Sequence, residues 1–138
     1  MKLIKAICLA LACVFVWQIG EDCLGATYQA DVSAYCLCEK CCNGWSKVCP
    51  RRTASGHIIQ AGDKFVAAPK NIPFGTMISI PGYNDGKPVP VLDRGGAIKG
   101  NRIDLFFGDS KNNVENHKKA LQWGRQYVSV VICKNEKR

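Results

Sequence analysis

Two aspartates, Asp93 and Asp104, stand near the ends of the stretch V-L-D-R-G-G-A-I-K-G-N-R-I-D-L-F-F, residues 91–107. Asp93 closes a short apolar run of Val89, Val91 and Leu92, and Asp104 lies inside a second run, Ile103 to Phe107. Gly95, Gly96 and Gly100 sit between them. Each carboxylate is therefore expected to emerge from, or beside, a buried strand. Burying an unpaired carboxylate costs several kcal/mol, so two of them set against hydrophobic neighbours point to a use, proton transfer first. The opposing reading is a pair of loop acids held by Arg94, Lys99 or Arg102, because ion-pair networks perturb carboxylates as well.

The elements that must position these acids are short. Tyr28, Ala30, Val32 and Ala34 alternate and predict a first strand over residues 27–35. Met77 to Ile80 predicts another, stopped by Pro81-Gly82, and Asn84-Asp85-Gly86 is a hairpin turn signal before a strand at Val89 to Leu92. Residues 111–125 predict the one helix, capped by Asn112 or Asn113 and stopped at Gly124, with Val114, His117 and Leu121 on one face. Gln126 to Cys133 alternates as a final strand. Many short strands with Gly/Pro turns and one helix argue for a small, mostly β barrel.

At 138 residues, 47% hydrophobic and 22% charged, the composition is that of one globular domain. Met1 to Lys5 is a basic head followed by an apolar run from Ala6 to Ile19, which reads as a signal peptide over residues 1–26, or a short anchor if uncleaved. Cleavage after Ala26 would leave a mature domain of residues 27–138, secreted or held in the periplasm or cell envelope. That domain keeps the full net charge of +8, which calls for an anionic partner. Export disfavours nucleic acid and leaves anionic membrane or the acidic polymers of a bacterial wall.

Removing the leader takes Cys8, Cys13 and Cys23 with it and leaves Cys36, Cys38, Cys41, Cys42, Cys49 and Cys133. An even number in a small exported domain reads as disulfides. Adjacent Cys41 and Cys42 are awkward partners for each other, so one bridge is expected to run from the Cys36–Cys49 segment to Cys133. A metal knot, with His57 as a further donor, is the alternative; no metal or cofactor is assigned. His57 is otherwise a solvent-exposed loop residue and His117 a helix-face residue.

The twelve positions D-x-G-G-A-I-K-G-x-x-I-D, Asp93 to Asp104, followed by an aromatic pair, resemble the signature of the three-aspartate (3D) domain, the family that includes membrane-bound lytic transglycosylase A. Lys64 to Thr76 resembles the family's V-A-x-D-P-x-x-I-P-x-G-T, and Thr53-Ala54-Ser55-Gly56 its T-A-x-G element. Asp93 and Asp104 match the second and third family aspartates, whereas the first is replaced by Ala68. The resemblance covers roughly residues 28–133 and implies a mostly β fold, a six-stranded double-psi β-barrel with one or two short helices, supported by disulfides.

It also implies a reaction on peptidoglycan glycan strands. Lytic transglycosylases need one carboxyl, because the sugar's own C6 hydroxyl attacks the anomeric carbon and leaves a 1,6-anhydro end. By resemblance Asp104 is that acid and base, with Asp93 as its charge-stabilising companion. Ile103, Leu105 and Phe106 are expected to desolvate Asp104 and raise its pKa. Thr53, Gly95, Gly96, Lys99 and Arg102 are the expected substrate contacts, the two cations for the glycan's carboxylates. The chain is expected to act as a monomer, touching a membrane only through an uncleaved leader. Ala68 keeps a second reading open, a non-catalytic, expansin-like glycan-binding module, and the cysteine segment keeps a third, a secreted interaction protein.

Overall fold

The computed structural model describes residues 23–42, 47, 50–108 and 113–134. Six strands, β1 (Gly25–Tyr35), β2 (Val66–Ala67), β3 (Met77–Ser79), β4 (Val89–Asp93), β5 (Arg102–Phe106) and β6 (Gln126–Cys133), are joined by two helices. The helices are a single turn, α1 (Glu39–Cys42), and the longer α2 (Asn113–Trp123). The strands hydrogen-bond in the closed order β1-β5-β2-β4-β3-β6, so every strand has two neighbours and none offers a bare edge. Among the described residues no helix is long and apolar enough to cross a membrane.

Closure fills the interior with one face of each strand. Ala30 and Val32 of β1, Val66 of β2, Ile78 of β3, Val89 and Val91 of β4, Ile103 and Leu105 of β5 and Val130 of β6 form a single cluster. Tyr83 closes one end, its hydroxyl donating to the Phe106 carbonyl at 2.5 Å and its ring packed edge-on against Phe107. The expected hairpin turn joins β3 to β4: Asn84, Asp85 and Gly86 take φ of 51°, 56° and 73°, a left-handed run that Asn, Asp and Gly tolerate best.

Two expectations are corrected here. The first strand does not start at Thr27. Gly25 pairs with Cys133 and Ala26 with Ile132, and Cys23 is disulfide-bonded to Cys133. Residues 23–26, assigned above to the leader, are thus built into the barrel, and Cys133 bridges Cys23 instead of the Cys36–Cys49 segment. The long antiparallel pairing of β1 with β6 brings these two cysteines side by side at the strand ends. Residues 1–22, with Cys8 and Cys13, and Cys49 lie outside the described residues.

The expected helix is present as α2 (Asn113–Trp123). Val114 and Leu121 are 79% and 67% exposed, whereas Asn116 and Ala120 are buried. The helix therefore presents Asn116, Ala120 and Trp123 to the barrel, and Trp123 Nε1 donates to the Val32 carbonyl at 3.4 Å. Gly124 ends it as expected, at φ 67° with its N–H donating to the Ala120 carbonyl.

Because the Cys23–Cys133 bridge spans 110 residues of sequence, it removes much of the unfolded chain's freedom. Cys133→Ser is expected to lower stability by about 2–5 kcal/mol in equilibrium denaturant unfolding, and the same loss should follow reduction of the wild-type bridge.

Candidate functional site

Both carboxylates are placed by β2, the shortest strand. Val66 is the register partner of Val91 and Leu105, and all three side chains enter the core. One residue on, Ala67 is the partner of Asp93 on one side and Asp104 on the other. The step from Val91 to Asp93 against the single step from Val66 to Ala67 is a register shift in the ladder. Simple alternation would send Asp93 to the same face as Val89 and Val91; the extra residue, Leu92, re-aims it to the face of Ala67. Asp93 and Asp104 thus stand on the outer face across one intervening strand, about 10 Å apart at Cα.

They line a cleft of about 750 Å³ whose walls include Tyr35, Leu37, Arg51, Thr53, Arg94 and Ile98. Asp93 is held firmly. Its Oδ2 accepts from the Tyr35 hydroxyl at 2.6 Å, and its Oδ1 accepts from the backbone N–H of Ala54 and of Arg94, both at 2.9 Å. The Thr53–Gly56 turn therefore serves Asp93 through its backbone. The Thr53 side chain is buried, and its hydroxyl is engaged with that of Ser55 at 2.9 Å.

Asp104 is held more lightly, accepting from Ser33 Oγ at 3.0 Å. Burial pushes its carboxyl above the usual carboxylate range, the Ser33 hydroxyl and Arg102 pull it back in part, and the Asp93 charge raises it further. Burial, then the Asp93 charge, likewise hold the Tyr35 phenol well above its ordinary value, so Tyr35 is a hydrogen-bond donor throughout the working pH range. The cleft thus joins a carboxyl predisposed to keep its proton to a carboxylate oriented by three donors, a pairing suited to general acid and base chemistry.

Of the expected substrate contacts, Thr53, Gly95 and Gly96 line the cleft, and Lys99 and Arg102 do not. Arg102 is turned to the outer stripe of β1 and β5, with Nη1 donating to the Ala97 carbonyl at 3.0 Å and Nε 3.9 Å from Asp31. Lys99 is exposed beside Gly100, whose φ of 65° turns the loop into β5. The loop is anchored by buried Ile98, and a Cβ on Gly95 would come within 2.8 Å of that side chain.

Among the described residues the cations that line the cleft are Arg51, Arg52 and Arg94. Arg94 donates to the carbonyls of Ala68 and Ile72 at 2.9 and 2.7 Å and lies 4.1 Å over the Phe74 ring. Tyr35 and Ser33 belong to no motif of the sequence. The alternation that sends Ala30, Val32 and Ala34 inward already places Asp31, Ser33 and Tyr35 together on the opposite face, and that signal points to them. Ala68, at the position of the first family aspartate, follows Val66 into the core and is fully buried.

The chain belongs to the 3D domain family, which it matches over residues 64–134, just over half of its length. It is similar to "Cell wall-binding protein YocH" of Bacillus subtilis, 39% identical over 64 residues, covering 46% of this chain and 19% of that protein. It is also similar to "Putative cell wall shaping protein YabE" of the same organism, 33% identical over 87 residues, 61% of this chain and 19% of that protein. The chain thus spans about a fifth of the length of either relative. Among solved structures, MltA of E. coli superposes with a TM-score of 0.47 at 27% identity, over 64% of this chain and 28% of MltA.

The raised pKa of Asp104 has a consequence for stability. A carboxyl that keeps its proton more tightly folded than unfolded stabilises the fold most below the ordinary Asp value of 3.8, and that contribution is lost as pH rises through the folded value. Above the raised value the ionised side chain is therefore a burden. Asp104→Asn is expected to raise the melting temperature above that raised value, with the gain over wild type shrinking as the pH falls through it toward the ordinary Asp value of 3.8 and levelling off below 3.8, followed by calorimetry across that range.

Proposed function

We propose that the chain is an exported, monomeric domain that binds peptidoglycan glycan strands in the Asp93–Asp104 cleft and cleaves them as a lytic transglycosylase. Its barrel is of the double-psi kind. Its leader is either cut before Cys23 or kept as a short anchor, because cleavage after Ala26 would remove the partner of Cys133.

The observation that carries this reading is the half-buried carboxyl of Asp104, with its raised pKa, one strand away from the oriented carboxylate of Asp93 at an open cleft. Asp104 donates its proton to the glycosidic oxygen as the bond to the anomeric carbon breaks. The resulting carboxylate then takes the proton of the sugar's C6 hydroxyl as that oxygen attacks the same carbon, so Asp104 ends as it began and the product carries a 1,6-anhydro ring. Asp93, fixed by Tyr35, Ala54 and Arg94, stabilises the positive charge that develops on the sugar ring. Thr53, Gly95 and Gly96 border the strand, and Arg51 and Arg52 supply positive charge at the cleft for acidic groups on the polymer. Lys99 and Arg102 act from outside the cleft, Lys99 for distal carboxylates and Arg102 through Ser33, to which its Nη2 donates at 3.4 Å.

A second reading, a non-catalytic wall-binding module, is favoured by two observations. One relative is named for binding the cell wall, and Ala68 leaves the site without one of the family's three acids.

Purified peptidoglycan incubated with the protein and analysed by mass spectrometry is expected to yield anhydro-muropeptides with wild type and none with Asp104→Asn. The rate should fall as pH rises through the raised Asp104 value, because the protonated form starts the reaction. Co-sedimentation with peptidoglycan without anhydro ends would establish the binding module instead. Neither cleavage nor co-sedimentation would leave the secreted interaction protein.

A further inference from the structure

The cysteine segment that follows β1 is not used by the cleft chemistry, and it holds the densest group of metal-ligating atoms among the described residues. The Sγ atoms of Cys36, Cys38 and Cys41 converge on one ring nitrogen, Nδ1 of His117 on α2, at 3.8, 3.3 and 3.6 Å. The Cys36 and Cys41 sulfurs are 3.7 Å apart, and all four donor atoms lie within 4.8 Å of one another.

A single imidazole nitrogen takes one hydrogen bond, so three thiols gathered round it are not a hydrogen-bond network. They are not a disulfide framework either. Cys36, Cys38, Cys41 and Cys42 are all unbridged, in contrast to the bonded Cys23 and Cys133. Three thiols can form one bridge among themselves and must leave one over. The fourth, Cys42, turns away, its Sγ donating to the Cys36 carbonyl at 3.1 Å.

The spacings do suit the edges of a coordination tetrahedron. With zinc–sulfur bonds of about 2.3 Å and a zinc–nitrogen bond of about 2.0 Å, those edges are about 3.8 Å between sulfurs and about 3.5 Å between sulfur and nitrogen. The local chain is built for it: C-x-C-x-x-C wraps a tight turn in which the N–H groups of Cys41 and Cys42 both donate to the Cys38 carbonyl, at 3.2 and 2.9 Å. His57, the histidine expected as a donor, is elsewhere, its Nε2 2.7 Å from Asp63.

We propose that Cys36, Cys38, Cys41 and His117 form a closed, four-ligand site for zinc that clamps the segment after β1 to α2. Binding displaces the three thiol protons to solvent and leaves the imidazole neutral, with Nε2 carrying its hydrogen. Four protein donors leave no open position, so the ion is structural. Its place gives it a second effect. Cys36 directly follows Tyr35, whose hydroxyl holds Asp93, and Leu37, Cys41 and Cys42 line the cleft. The ion therefore stiffens one cleft wall from behind. This inference stands independently of which glycan reaction, if any, the cleft performs.

The full chain, purified without added metal, is expected to carry one zinc per chain by elemental mass spectrometry. Exchange for cobalt should give thiolate-to-cobalt charge transfer and the intense visible bands of a tetrahedral site. His117→Ala and Cys38→Ser should lose the metal, while His117→Cys should retain it with stronger charge transfer, which separates ligation from a folding defect. Cys42→Ser and His57→Ala should keep the wild-type content and spectrum. The proposal is overturned if wild type binds no zinc or cobalt, if the cobalt spectrum is octahedral, if Cys42→Ser or His57→Ala abolishes binding, or if intact-mass analysis finds Cys36, Cys38 or Cys41 in disulfides.

Discussion

The site depends on a two-residue strand with a register shift beside it. β2 contributes only Val66 and Ala67, yet it is the strand through which β4 and β5 meet, one parallel and one antiparallel. Val66 anchors this junction in the core between Val91 and Leu105. Ala67 then sets the spacing of the two acids on the other face, and its single methyl leaves the cleft floor open between them. Without the shift at Leu92, the pleat would turn Asp93 inward among valines, where an unpaired carboxylate is not tolerated. A local irregularity thus turns a core strand into the support of a polar site, a common use of such irregularities beside functional groups.

The two carboxylates differ because their surroundings differ. Asp93 sits where a turn, a neighbouring residue and a tyrosine converge, and three donors orient it. Asp104 has the Ser33 hydroxyl as a side-chain donor, hydrophobic β5 neighbours behind it and the Asp93 charge nearby, and these conditions favour its protonated form. Asymmetry of this kind divides acid from charge-stabilising roles in a pair of chemically identical groups. Arg102, which a linear reading aims at substrate, instead ties β5 to β1 through Asp31; the same Asp31 carboxylate is gripped by Arg125 from the start of the last strand's approach, so two cations fasten the outer stripe. These contacts hold the wall from which Asp104 projects.

Around this core the fold adds a disulfide fastener at the start of β1 and, with the proposed zinc bound, a second at its end. At its start Cys23 is bonded to Cys133, which locks β1 to β6. At its end the chain enters the cysteine turn that faces His117. β1 also carries Ser33 and Tyr35, one partner for each carboxylate. Fixing both ends of β1 therefore fixes the donors that address both acids, which links the cysteine chemistry to the cleft without any cysteine taking part in it.

Much of this was legible in the linear chain: the alternation of β1 and β6, the left-handed Asn-Asp-Gly turn, the stop at Gly124, and above all the Asp93–Asp104 motif that marks the family. These are local properties, because pleat, turn geometry and glycine conformation are decided by near neighbours in sequence. What only the tertiary structure decided depends on partners far apart in the chain. The face of α2 is chosen by the barrel against which Asn116 and Ala120 pack, and Val114 and Leu121 are left exposed. Cys133 takes the partner that β1–β6 pairing brings alongside it, and His117 meets three cysteines roughly eighty positions earlier only because α2 returns to the end of β1. Pairing across such distances is settled by the closing of the sheet, and no periodicity in sequence records which residues that closure brings together.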